Sequence, residues 1–209
     1  MIAAESLRRL SRPQAMALTP STMLPLGTPL PLETMHSALT SVSGGPLDPA
    51  TLAGRPVLVL FVCPHCPFVK HIEAEIGRLA VDFGERASLV AICSNSLLTH
   101  PQDGPAGMAA QARAHGWAFP YLSDPEQTVA RAFHAACTPD PFLFDAGHRL
   151  VYRGQFDGSR PGNAVPSDGR DLRAALSAVL EGLPVAAEQS ASIGCNIKWH
   201  PGREPAWAS

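Results

Sequence analysis

Two thiols three positions apart, with an imidazole between them, stand at Cys63-Pro64-His65-Cys66. Two intervening residues let the second thiol turn back on the first and close a small disulfide ring. Such a pair can pass electrons to or from another disulfide. Only the thiolate is nucleophilic, and helix N-terminal amides or a nearby protonated imidazole lower a thiol pKa. The spacing puts Cys63 at the N-cap of the following helix, or just inside it, with Cys66 one turn on. Cys63 is therefore the expected attacking thiol and Cys66 the more enclosed, resolving one. His65 is placed to tune them. Pro64 is compatible with a first helical position, whereas Pro67 would delete an early hydrogen bond and loosen that turn. Two other readings stay open. The cysteines could simply pack at a helix start, or Cys63, Cys66 and a histidine could hold zinc or copper. No second C-x-x-C and no H-x-x-x-H completes a structural zinc set.

The elements around the pair follow from periodicity. Pro56–Val62 is a continuous apolar run, which reads as a buried central strand. Phe68, Val69, Ile72, Ile76, Leu79, Ala80 and Phe83 then recur at helical spacing and leave Lys70, Glu73, Glu75 and Arg78 for solvent. Ser88–Cys93 reads as a second buried strand. Asp103 and Pro105 read as cap and start of a helix to about His115, and Phe119–Leu122 as a short strand. Asp124-Pro125-Glu126-Gln127 matches the start of a helix to about Ala136. Pro141–Phe144 and Leu150–Arg153, joined by residues 145–148, read as a hairpin. Asp168 caps a last helix with Leu172, Leu176, Val179, Leu180 and Leu183 on one face. Before the central strand, Leu30–Met35 and Ala38–Val42 look strand-like, Gly44-Gly45 marks a turn and Asp48–Leu52 a helical turn. Parallel strands with crossover helices followed by a hairpin imply an α/β fold with a mixed central sheet flanked by helices.

Bulk properties narrow the classes. At 209 residues and 45% hydrophobic, the chain suffices for one well-cored domain with arms, not two full domains. A net charge of −2 gives no basic surplus for nucleic acid. No apolar run approaches the roughly 18 residues of a membrane span. Arg8, Arg9 and Arg12 are followed by no apolar core, so no secretory signal is read, and Glu5 speaks against a transit peptide. Met16 is an alternative start. Five cysteines without a signal argue against a structural disulfide framework and for a cytoplasmic protein whose thiols pack or react.

Thr138-Pro139 precedes the strand Phe142-Leu143-Phe144, and in that order the chain resembles the thioredoxin superfamily. The resemblance implies a cis-proline at Pro139 that faces the dithiol across a substrate groove, with Thr138 beside it. Further blocks sharpen it. Phe61 through Lys70, Phe119–Leu122, Cys137–Asp140, Tyr152–Gln155, Ser159–Asn163 and Ser192–Trp199 resemble a bacterial group of peroxiredoxin-like proteins. These carry a thioredoxin-type C-x-x-C on a redoxin (alkyl hydroperoxide reductase/thiol-specific antioxidant) scaffold. Peroxiredoxins carry P-x-x-x-T-x-x-C. With Cys66 at the peroxidatic position, the threonine position is Cys63 and the proline position Val59, and the usual arginine falls near Pro139. The groups that polarise a peroxide are thus missing. The acid that thioredoxins often bury beneath the dithiol is also missing from Val57–Val62.

Residues 1–26 are expected to form a flexible arm, 27–183 a thioredoxin-like redoxin domain and 184–209 a tail packed on it. The protein is expected to be a thiol–disulfide oxidoreductase that cycles Cys63–Cys66 in an antioxidant or redox-homeostasis role. Pro64, His65, Thr138 and Pro139 support the pair. Cys137 or Cys195 is a candidate third redox thiol, and Cys93 belongs to the core. A thiol-dependent peroxidase and a Cys/His metal carrier are the alternatives. No cofactor, nucleic acid or membrane is expected. The partners are a protein or small-molecule disulfide and a cellular thiol reductant. Arg160 and Asn163 either line the groove or tie down their loop, and Trp199, Ile193 and Ile197 pin the tail.

Overall fold

The computed structural model describes residues 18–42 and 46–208. In chain order the strands are β1 (Leu18–Pro20), β2 (Thr40–Ser41), β3 (Val57–Phe61), β4 (Ser88–Cys93), β5 (Tyr121–Ser123), β6 (Cys137–Thr138), β7 (Asp140–Phe144), β8 (Leu150–Tyr152) and β9 (Ile193–Asn196). The helices are α1 (Leu32–Ala38), α2 (Pro67–Phe83), α3 (Pro105–Ala114), α4 (Thr128–Ala132) and α5 (Arg170–Leu180).

β3 is buried at all five positions because both its faces are covered. Leu58 and Leu60 point into a layer with Ile72, Ile76 and Leu79 of α2 and Leu172 and Leu176 of α5. Val57, Val59 and Phe61 point the other way, toward Met35 of α1 and Val129 of α4. Side-chain alternation along one strand thus divides the core in two. The main sheet runs β2-β5-β4-β3-β7-β8. β3, β4 and β5 are parallel, and β7 and β8 continue antiparallel from β3. This is the mixed sheet that the element order implies. Phe133 sits at the hub of an aromatic cluster, edge-on to Phe61 and Phe142 at 5.2 Å and to Phe144 at 5.8 Å between ring centroids.

A second, three-stranded sheet runs β1-β9-β6. It corrects two expectations. Residues 18–26 are not loose, since Leu18–Pro20 pair with Ile193–Cys195, and the aperiodic tail contains a strand. The rest of the arm (residues 1–17) and the Gly44-Gly45 turn lie outside the described residues. Leu30–Met35 is not strand-like: a helix begins at Leu32, directly after Pro31, and buries Met35. Asp103 does not cap α3. It ends a short helical turn, Pro101–Asp103, and its side chain is buried. Asp124 does serve α4, but across an intervening turn, accepting from the Val129 and Ala130 amides at 3.3 and 2.9 Å. Glu75 is buried rather than left to solvent, bonded to Arg78 and within 3.7 Å of Arg173. Leu183 lies past the end of α5 and is exposed.

Candidate redox site

The chain leaves β3 with one more sheet bond, from the Val62 amide to the Ile92 carbonyl at 2.9 Å. It turns through Pro64 and His65, and α2 starts at Pro67. The N-cap is therefore Cys66, not Cys63. Its φ of −67° and ψ of 121° are those of an extended cap residue, and Pro67 occupies the first helical position, where a missing N–H costs nothing. The proline read as loosening the first turn instead fixes where the helix begins.

The groups around the two sulfurs act against the expected order of the pair. Both cysteines are 0% exposed, and all five cysteines of the chain are free thiols. Cys66 is the shared acceptor: donation from the Cys195 thiol, then from Cys63 and Thr138, holds its pKa well below the usual thiol value. The Val69 amide in the first turn of α2 acts in the same direction. Cys63 is pushed up by that same bond to Cys66, by burial and by the negative charge of Asp103. The donors around Cys66 thus favour the thiolate there over Cys63. When Cys66 carries a proton instead, its thiol donates to the Thr138 carbonyl at 3.2 Å.

Around Cys63 a polar network closes. His65 Nδ1 lies 3.6 Å from Cys63 Sγ and 2.5 Å from Asp103 Oδ2. The Asp103 carboxylate also accepts from the His65 amide at 3.1 Å and from Asn95 Nδ2 at 2.8 Å. One ring nitrogen cannot donate to Asp103 and at the same time take the proton of Cys63. His65 is therefore oriented by Asp103 as a donor and does not serve as a base for Cys63 through Nδ1. The His100 ring stacks on His65 with 4.8 Å between centroids, and burial and His65 both depress its pKa. The buried acid that β3 lacks is thus supplied from the loop before α3. Sequence reading took Asp103 for a helix cap and missed Asn95 and His100. Their one signal is a buried-strand end, Cys93-Ser94-Asn95, followed by polar residues that no helix or strand period claims. Cys63, His65 and Asp103 hold their ligand atoms within 4.8 Å of one another, the one such group among the described residues.

Thr138-Pro139 is a cis peptide bond and faces the pair, with the Thr138 hydroxyl 3.7 Å from Cys63 Sγ. The backbone edge of the cis-proline loop is occupied by the tail. Cys137 pairs with Asn196 and Thr138 with Cys195, and the Ile197 amide donates to Ala136 at 2.9 Å. The Ser192 hydroxyl donates to the Pro139 carbonyl at 2.6 Å. Gly194 makes the approach feasible, because a Cβ there would stand 2.0 Å from the Thr138 carbonyl oxygen.

The remaining candidates separate. Cys137 is buried and its thiol donates to the Pro139 carbonyl at 3.6 Å; burial and Asp140 push its pKa up. Cys93 is core, pushed up to about 12 by burial. Arg160 and Asn163 tie their own loop. Arg160 donates to the carbonyls of Asp157 and Ser159, and Asn163 to that of Gly158. Trp199 and Ile197 are buried in the layer that contains Phe133, whereas Ile193 is 36% exposed and does not pin the tail. Asp140, next to the cis-proline, was not singled out by sequence. It is fully buried, and burial raises its pKa to about 7.

The mixed sheet, with paired thiols at a helix start facing a cis-proline, defines a thioredoxin-like protein. Residues 32–153 match the AhpC/TSA family, and the chain belongs to it. A conserved protein of Geobacillus kaustophilus, described as uncharacterized, is 45% identical over 90% of this chain and 98% of its own, with a TM-score of 0.84. A hypothetical protein of Sinorhizobium meliloti 1021 is 42% identical over 88% of this chain and 100% of its own, with a TM-score of 0.81. A secreted disulfide oxidoreductase of Mycobacterium tuberculosis shares the fold at 19% identity, over 70% of this chain and 98% of its own, with a TM-score of 0.55. A search of curated proteins found no match. No helix among the described residues is long and apolar enough to cross a membrane.

Proposed function

We propose that the protein is a thiol–disulfide oxidoreductase that cycles Cys63 and Cys66 between dithiol and disulfide in redox homeostasis. The observation that carries this reading is the Cys63–Cys66 pair set against the cis Thr138-Pro139 bond, with the Thr138 hydroxyl 3.7 Å from Cys63 Sγ and its carbonyl 3.2 Å from Cys66 Sγ. The Cys66 thiolate attacks one sulfur of a substrate disulfide, forming a mixed disulfide and expelling the other sulfur as a thiolate. Cys63 then gives up its proton and attacks Cys66. The Cys63–Cys66 bond forms, the mixed disulfide breaks, and the substrate leaves as two reduced sulfurs sharing the one proton that Cys63 released. A cellular thiol reductant restores the dithiol by the reverse exchange.

A second reading, a thiol-dependent peroxidase, is favoured by the position of Cys66 at the helix N-cap, where a thiolate is stabilised. In a third, Cys63, His65 and Asp103 carry a metal. The deciding experiment is equilibration with glutathione redox buffers and peptide mapping by mass spectrometry. A Cys63–Cys66 disulfide in equilibrium with the buffer, lost in both Cys63→Ser and Cys66→Ser, is the expected result. Peroxide consumption by the reduced protein that survives Cys63→Ser points to the peroxidase. Stoichiometric zinc or copper after anaerobic purification, with no equilibrating disulfide, points to the carrier.

A further inference from the structure

Cys66 has two sulfur neighbours, not one. Cys195 pairs in register with Thr138, whose carbonyl lies 3.2 Å from Cys66 Sγ; the Cys195 thiol donates to Cys66, and Cys63, Cys66 and Cys195 belong to one buried cluster. Cys195 is only 6% exposed, and its backbone is held in register opposite Thr138, the residue before the cis-proline. Three separate contacts fix that register: Ser192 on the Pro139 carbonyl, the side-chain-free Gly194 against Thr138, and the Ile197 amide on Ala136. On the other side, Leu18 pairs with Cys195 and holds β9 between two strands. A cysteine on a strand laid antiparallel along the cis-proline loop stands where the sulfur of an extended disulfide substrate would have to stand to reach Cys66.

We propose that Cys195 is a third redox-active cysteine, a second resolving thiol that exchanges with Cys63 for disulfide bonding to Cys66. The inference rests on the dithiol reading above. In the exchange, the Cys195 sulfur attacks Cys66 of the Cys63–Cys66 disulfide. The Cys66–Cys195 bond forms, the Cys63–Cys66 bond breaks, and the proton lost by Cys195 is taken by the released Cys63 sulfur. No electrons enter or leave, so one disulfide simply changes partners. Its effect is to tie the tail covalently to the start of α2 and to return Cys63 to the thiol form beside His65 and Asp103. Cys137, whose thiol is turned to the Pro139 carbonyl, takes no part.

The test oxidises the full chain and its Cys63→Ser variant with glutathione disulfide, quenches in acid and maps bridged peptides by mass spectrometry. In Cys63→Ser, a Cys66–Cys195 bridge is expected in most of the oxidised protein. Glutathionylated Cys66 with Cys195 left free would overturn the proposal. If Cys63→Ser fails to fold, the native chain decides: both the Cys63–Cys66 and Cys66–Cys195 bridges are expected, and Cys195→Ser should retain the first alone. A native chain with only the Cys63–Cys66 bridge sinks the third thiol and leaves the dithiol reading standing. A Cys66–Cys195 bridge without any Cys63–Cys66 bridge does the reverse.

Discussion

Asp140 holds a carboxyl group that water does not reach. Its Oδ2 accepts from the Ala136 amide at 3.2 Å, and the Ser21 side chain and the Cys137 amide also favour the charged form, though less than burial opposes it. Burial lifts its pKa from 3.8 to about 7. Between those two values the folded chain keeps a proton that the unfolded chain has lost, so this group makes stability fall as pH rises through the window. Above about 7 the penalty is complete; below 3.8 it vanishes. Asp140→Asn keeps an acceptor for Ala136 and removes the titration. Urea midpoints of both proteins at pH 5 and pH 8 should show the variant gaining on the native chain as pH rises. A constant difference would show that Asp140 is not the titrating group. The same residue scale shows what sequence could not reveal about the site. Cys63 and Cys66 were legible from spacing, and Pro139 from the resemblance to the thioredoxin superfamily. Which thiol is favoured as the anion depends first on Cys195, a donor distant in sequence, and only then on the start of α2, which a single proline sets. Pro67 resembles a helix breaker in a linear reading, but at the first helical position it is a starter.

Among the elements, those with a strong period were read correctly. β3, β4, α2 and the β7–β8 hairpin stand where alternation or helical spacing put them. The elements that failed are short or paired at long range. α1 has seven residues, and β9 finds its partners at Leu18–Pro20 and Cys137–Thr138, far away in sequence. No local pattern announces a strand whose partners are so distant. Gly194 is the residue that tests it. A Cβ would collide with backbone atoms of Thr138 and Pro139, which cannot rotate aside. Gly194→Ala is expected to cost about 2–3 kcal/mol of overpacking or to lift β9 outright. Amide hydrogen exchange at Ile193–Asn196 should then rise toward that of an open segment, with exchange in β3 and β4 little changed. Native-like protection of β9 in the variant would mean that the tail is not seated on the cis-proline loop as described.

The molecule as a whole keeps its two core layers on opposite faces of β3. Cys63 and Cys66 belong with the α2 and α5 layer, whereas the Phe133 cluster belongs with α1 and α4. Stability and redox behaviour should therefore separate. Phe133→Ala is expected to lower unfolding free energy by about 3–5 kcal/mol, read from denaturant midpoints. The Cys63–Cys66 equilibrium with glutathione should stay within about twofold of the native value. A larger change would show that the sheet transmits packing from one face to the other. The seating of β9 on the cis-proline loop also sets a population problem for any extended partner that reaches for the same backbone edge. Only molecules with the tail released can receive it, so its apparent dissociation constant is the intrinsic one divided by the released fraction. A docking free energy of about 1.4 kcal/mol would leave about one molecule in ten receptive. On the proposed reading, a compact disulfide that needs only the sulfurs and not the edge would escape that handicap, and the tail would discriminate between small and strand-like substrates.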